Sequence, residues 1–172
     1  MTIKSQVPFV NLGLQYINYK EEILTKIDEL SSQGQYVFGD EVLNFEKKIR
    51  GICGTEYAIG VGNGTDALVL ILKSLGIEQG DEIITVPNSF IATAGAIVEA
   101  GAKPVFVDVG DDFNLDPQQI ERVITKRTKA ILVVHLTGNP AKMYEINELA
   151  EKYNILVVED AAQAIGAEYK TH

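Results

Sequence analysis

The sequence predicts an α/β fold, a mostly parallel sheet with helices on both faces. Three observations carry this. Short apolar runs alternate with segments of helical periodicity from Tyr57 to Glu159. The runs are continuous rather than alternating, as in parallel strands buried on both faces. A glycine-rich turn leads from the first run into the first of these helices, the usual opening of a β-α-β unit.

The elements follow in order. Two helices without strands come first, Tyr16 to Ser31 and Glu41 to Ile52, joined by the glycine-rich connector Gln33 to Gly39. Residues 1–56 are therefore read as a helical segment and residues 57–172 as a partial α/β domain. Tyr57 to Val61 is the first strand, and Thr65 to Leu75 is a helix with apolar Leu68, Leu72 and Leu75 at helical spacing. Glu82 to Val86 is the second strand and Phe90 to Glu99 the next helix, ended by Gly101. Pro104 to Asp108 is the third strand. Asp116-Pro117 reads as an N-cap with proline at the first helical position, opening a helix to about Thr125. Ala130 to Val134, a helix from Met143 to Tyr153, and Ile155 to Glu159 complete the series.

Composition excludes several classes. The chain has 172 residues, 46% hydrophobic and 23% charged, which is globular rather than disordered. Its net charge of −9 disfavours non-specific binding to nucleic acid or anionic lipid. No apolar run approaches the ~18 residues of a membrane span. The stretch Met1 to Gln6 lacks the apolar core of a signal peptide, so a cytoplasmic location is expected. Cys53 is the single cysteine, which excludes a disulfide framework and is read as a small core residue. No histidine or cysteine pair has metal-ligand spacing, so no metal site is expected.

Ligands in open α/β sheets bind at the carboxyl ends of the strands. After the first strand comes Gly60-Val-Gly-Asn-Gly-Thr-Asp-Ala-Leu68. Its backbone N–H groups suit a phosphate, with Thr65 adding a hydroxyl, although a tight turn with a threonine N-cap reads equally well. A dinucleotide fingerprint needs glycine where Thr65 stands, which weighs against a nucleotide-binding Rossmann domain. Phe90 after the second strand suits a flat ring or, alternatively, the core. His135 is read as a structural residue with local partners. Asp160 at the end of the last strand can hold a proton on a heteroaromatic nitrogen or cap a loop. Phosphate cradle, aromatic platform and strand-end aspartate together match pyridoxal 5'-phosphate.

The markers Phe38-Gly-Asp-Glu-Val-Leu-Asn-Phe-Glu46, Gly62-Asn-Gly-Thr-Asp-Ala-Leu68, Val86-Pro-Asn-Ser-Phe90, Gly101 to Asp108, His135-Leu-Thr-Gly-Asn-Pro140 and Val158 to Ala167 stand in one order. With them the chain resembles the DegT/DnrJ/EryC1/StrS sugar-nucleotide aminotransferases, a branch of the fold-type I pyridoxal-phosphate enzymes. The resemblance implies an incomplete large domain of that fold. It implies cofactor-binding roles for Gly64, Thr65, Asp66, Phe90, Asp160 and Gln163. Thr65 and the Asp66 N–H would hold the phosphate, Phe90 would stack on the ring, Asp160 would pair with the ring nitrogen, and Gln163 would approach the phenolic oxygen. It also implies amino transfer from an amino acid such as glutamate to a nucleotide-linked keto sugar, in a homodimer when full length.

The family's Schiff-base lysine follows the Asp–Gln motif by some two dozen residues in a Ser-Phe-x-x-x-Lys context. Only nine residues follow Gln163 here, and Lys170 is too close to the motif. The expectation is a truncated chain with no catalytic residue of its own and no turnover. The family's sheet order is 3-2-4-5-6-7-1. This chain would supply the first five strands, leaving strand 1 without its partner and strand 5 as an open edge. Thr137 and Lys142 depart from the family's usual tyrosine and acid. Alternative readings are a non-catalytic remnant or binding module, and a pyridoxal-phosphate sugar dehydratase of the same fold.

Overall fold

The structure, a computed structural model, describes residues 7–169. The expectations for Met1 to Gln6 and for Lys170 lie outside the described residues. The chain divides into two compact units, Met1–Lys48 and Ile49–His172.

The first unit is helical. Helix α1 spans Leu12–Ser32, and Asn11 caps it by accepting the Leu14 N–H at 3.0 Å. Helix α2 spans Asp40–Cys53 and runs past the division between the units. Neither helix has a buried residue. Cys53 is exposed, which corrects its reading as a core residue. It ends a helix that buries none of its residues, so its preference for burial has no packing surface to act on.

The second unit holds α3 (Gly64–Ser74), β1 (Glu82–Thr85), α4 (Ile91–Glu99), β2 (Lys103–Phe106), α5 (Pro117–Ile120), β3 (Thr128–Val134), α6 (Met143–Tyr153) and β4 (Leu156–Asp160). The four strands form one parallel sheet in the order β2-β1-β3-β4. That is the 3-2-4-5 part of the expected order, with β4 at an edge. Strand β2 is the other edge and carries Pro104, whose missing N–H an edge strand tolerates. The central strands carry apolar cores between polar ends, and Ile83, Ile84, Ile131, Leu132 and Val133 are fully buried. The fully buried hydroxyl of β1, Thr85 Oγ1, donates to the Leu132 carbonyl at 2.9 Å.

The chain steps one way from β1 to β2 and the other way from β3 to β4. Right-handed crossovers then place α4 and α6 on opposite faces. The packing agrees: α3 lies on α4, and α5 on α6. Helix α6 points Met143, Ile146 and Ala150 at the core, at helical spacing. Gly101 stops α4 at φ +98°, and a Cβ there would stand 3.3 Å from the Gln79 backbone nitrogen.

Two expected elements differ. Residues 57–61 join no ladder among the described residues, and Tyr57 and Ile59 are largely exposed. A strand is defined by its pairing, and an apolar run by itself does not supply a partner. The helix opened by Asp116 is a single turn, not a helix to Thr125. Asp116 Oδ1 accepts from the Gln118 N–H as a cap should. The backbone then tightens, with the Val123 N–H bonding the Ile120 carbonyl, and Thr128 Oγ1 captures the Thr125 N–H at 2.9 Å to turn the chain into β3.

Candidate functional site

Strands β1 and β3 are neighbours whose connections leave in opposite directions, which opens a crevice beyond their carboxyl ends. A cavity of about 540 Å3 lies there. Its walls come from the start of α3 (Asn63, Gly64, Thr65), the loop after β1 (Ser89, Phe90), and the ends of β3 and β4 (His135, Asp160, Gln163).

Five of the six residues singled out in the sequence line this cavity: Gly64, Thr65, Phe90, Asp160 and Gln163. Asp66 does not. The cap of α3 is Asn63, not Thr65: Asn63 Oδ1 accepts the Asp66 N–H at 2.9 Å. The Thr65 hydroxyl is thereby left for other use, while the Asp66 N–H is engaged. Among the described residues, the N–H groups of Gly64 and Thr65 have no recorded acceptor.

Phe90 is 74% exposed, so the core reading of this ring does not hold. It occupies the N-cap position of α4 without a side-chain cap bond. Asp160 is half-buried; its Oδ1 accepts the Ala162 N–H at 3.1 Å, and no partner of Oδ2 is recorded among the described residues. Gln163 is exposed at the cavity rim.

His135 is buried, and both ring nitrogens are engaged. Nδ1 accepts the Ala141 N–H at 3.1 Å, so the ring hydrogen sits on Nε2 and is donated to Glu159 Oε2 at 2.9 Å. Its backbone N–H bonds the Asp160 carbonyl at 3.1 Å. The histidine thus ties the loop after β3 to the end of β4, in agreement with its structural reading. Gly138 lets that loop close: at φ +84° a Cβ would stand 3.0 Å from the Gln163 carbonyl. Sequence reasoning missed Asn63 and, although it places Glu159 at the strand end beside Asp160, missed its pairing with His135. An asparagine two residues ahead of a helical Thr-Asp is an N-cap signal and could have pointed to the first.

Residues 18–172 match the DegT/DnrJ/EryC1/StrS aminotransferase family. The chain belongs to this family. It is 46% identical over 164 residues to the dTDP-3-amino-3,6-dideoxy-alpha-D-galactopyranose transaminase of Aneurinibacillus thermoaerophilus, covering 95% of this chain and 45% of that protein. Among solved structures it superimposes on S. venezuelae DesV in complex with a ketimine intermediate with a TM-score of 0.91 and 41% identity, covering 95% of this chain and 44% of DesV. It matches NtdA from Bacillus subtilis with bound cofactor PMP at a TM-score of 0.91 and 37% identity, covering 96% and 38%. The chain spans a little under half the length of the curated relatives it matches. Within the DegT/DnrJ/EryC1/StrS fold it corresponds to part of a fold-type I large domain. Among the described residues, no helix is long and apolar enough to cross a membrane, and no group of three or more His, Cys, Asp or Glu residues could hold a metal ion.

Proposed function

We propose that this chain is the cofactor-binding part of a pyridoxal-phosphate aminotransferase. The reaction moves an amino group from an amino acid, glutamate in our reading, to a nucleotide-linked keto sugar for polysaccharide or deoxysugar synthesis. One observation carries this: in a member of an aminotransferase family, an open helix start, an exposed aromatic ring and an open strand-end carboxylate meet in one cavity. The fit to the cofactor is chemical. The free Gly64 and Thr65 N–H groups and the Thr65 hydroxyl suit a phosphate. Phe90 offers an exposed face for a planar ring. Asp160 Oδ2 is an open acceptor for a protonated ring nitrogen, and Gln163 at the rim suits the phenolic oxygen. The cavity volume lies within the range of cofactor sites.

When bound, pyridoxal phosphate supplies an electron sink for the loss of an amino acid's α-proton. The residues of this chain orient it and set its charge. Asp160 holds the ring-nitrogen proton, and the bond between its carbonyl and the His135 N–H fixes the backbone that carries it. Phe90 covers one ring face and keeps water from it. The 172 residues contain no lysine in the Ser-Phe-x-x-x-Lys context, so covalent anchoring and α-proton transfer are not functions of these residues. The partners of the whole protein are then a nucleotide sugar, an amino-acid donor and a second copy of the chain, in the cytoplasm.

Equilibrium dialysis of the purified chain against pyridoxal phosphate and, separately, NAD tests the site. We expect pyridoxal phosphate to be retained, to resist fixation by borohydride, and to bind at least about tenfold more weakly to Asp160→Ala. Retention of NAD and not of pyridoxal phosphate overturns the reading. The reaction class is tested on the longest protein the gene encodes, by formation of 2-oxoglutarate from glutamate in the presence of a dTDP- or UDP-linked keto sugar. No product with any such acceptor overturns that part.

A further inference from the structure

The phosphate end of the cavity contains a conflict. Asp66 sits in the first turn of α3, where a carboxylate steadies the helix. The same position puts a negative charge one and two residues from the Thr65 and Gly64 N–H groups, where it opposes any anion. The fold turns this carboxylate aside. Asn63 Nδ2 donates to Asp66 Oδ2 at 2.9 Å, while Asn63 Oδ1 accepts the Asp66 N–H at 2.9 Å. The carboxylate comes to lie against Gly62, where an added Cβ would stand 2.5 Å from Oδ2. Asn63, Gly64 and Thr65 line the cavity, and Asp66 does not.

We propose that Asn63 is a positioning residue that makes this site selective for a phosphate-bearing ligand, by stowing the Asp66 carboxylate against Gly62. The phosphate then falls to the Gly64 and Thr65 N–H groups and the Thr65 hydroxyl rather than to the Asp66 N–H. The inference rests on the cofactor assignment made above. Only an amide side chain does both jobs with separate atoms: its oxygen caps the helix and its NH2 group holds the acid. Gly62 supplies the space, and since its φ is not in the left-handed region, an alanine there would act by contact alone and push the Asp66 carboxylate aside.

The test measures affinity for pyridoxal phosphate and for pyridoxal, which lacks the phosphate, by equilibrium dialysis. Asn63→Ser keeps a cap oxygen and removes the amide arm. It should weaken pyridoxal phosphate about tenfold and leave pyridoxal unchanged, as expected for one repulsion at a partly solvated site. Asp66→Asn in the same background should restore affinity to within about twofold. Asp66→Asn by itself should lower the thermal midpoint, because a first-turn acid is lost, without weakening pyridoxal phosphate. Gly62→Ala, which leaves the cap in place, should reproduce the Asn63→Ser pattern and supplies the test if that variant does not fold. The inference is overturned if Asn63→Ser binds pyridoxal phosphate normally, if both ligands weaken equally, or if Asp66→Asn gives no rescue. Failure of the unmodified chain to bind pyridoxal phosphate overturns the cofactor assignment itself.

Discussion

The two ends of the sheet are built from the same strands and differ in how completely their polar groups are matched. At the amino end, Glu82 opens β1 and is buried. Its Oε2 accepts the Thr125 hydroxyl at 2.6 Å, and its Oε1 accepts the Arg127 guanidinium at 2.6 and 3.1 Å. Asp81 beside it accepts the Glu78 N–H at 3.0 Å. At the carboxyl end, among the described residues, the Gly64 and Thr65 N–H groups, Asp160 Oδ2 and the face of Phe90 are left open. A saturated end has nothing to offer a ligand and contributes stability. An open end gives up that stability and keeps donors, acceptors and apolar surface in place for binding. Substitutions at the amino end should therefore change folding and not ligand affinity, and those at the carboxyl end the reverse.

The largest effect is expected at Glu82. Its alanine variant leaves Arg127 and Thr125 without their acceptor and should cost about 3 kcal/mol in urea unfolding through the lost charge-assisted hydrogen bonds, while Arg127, 64% exposed, stays solvated. Affinity for pyridoxal phosphate should not move. The hydrogen bond from Thr125 and the nearby Arg127 hold the Glu82 carboxyl below its ordinary value of 4.5. Because the folded group is the stronger acid, the unfolded chain takes up the proton first as pH falls. The stabilisation is complete above 4.5 and is lost as pH descends toward the depressed folded value. The Glu82→Gln variant should show a flatter loss of stability below pH 4.5 than the parent. An unchanged acid limb would mean that the pair does not act on folding.

Gly138 breaks the comparison, because it lies at the open end and is nonetheless structural. An alanine there adopts φ +84° with its Cβ 3.0 Å from the Gln163 carbonyl. Backbone strain and contact together should cost about 2 kcal/mol. The displaced loops carry His135 and Gln163, so ligand affinity should fall as well. A variant that loses stability and keeps its affinity would show that the two loops do not need this close approach to form the site.

The sequence was most informative where function and fold depend on local pattern. Continuous apolar runs located β1 to β4, the strand-end rule pointed to Phe90 and Asp160, and the family resemblance added Gln163. What it left unread depends on partners. Helices α2 and α6 are both amphipathic, yet α6 buries Met143, Ile146 and Ala150 and α2 buries nothing. Periodicity records that a helix has an apolar face and says nothing of what covers it. Cys53 and residues 57–61 depart from expectation for the same reason. At the site, the choice between Thr65 and Asn63 as the cap turned on backbone dihedrals. Asn63 is extended, with φ −166° and ψ 177°, and so stands just outside the helix.

The smallest effect on stability, and the sharpest test of the open end, belongs to Phe90. The ring is 74% exposed, so truncation to alanine removes little buried surface. It stands at an N-cap where the native side chain makes no cap bond, and alanine loses nothing there that phenylalanine provided. Thermal unfolding of Phe90→Ala should thus stay within about 0.5 kcal/mol of the parent. Exposure alone does not single the ring out, since Ile59 and Ile91 are as exposed; its place on the cavity wall does, and under the proposed function a planar ligand would stack against it. Pyridoxal phosphate should bind Phe90→Ala about tenfold more weakly and Phe90→Tyr nearly as the parent, since the tyrosine keeps the flat face. If Phe90→Ala were to lose stability and retain affinity, the ring would be packing against the fold, and the open end would extend only from Thr65 to Asp160.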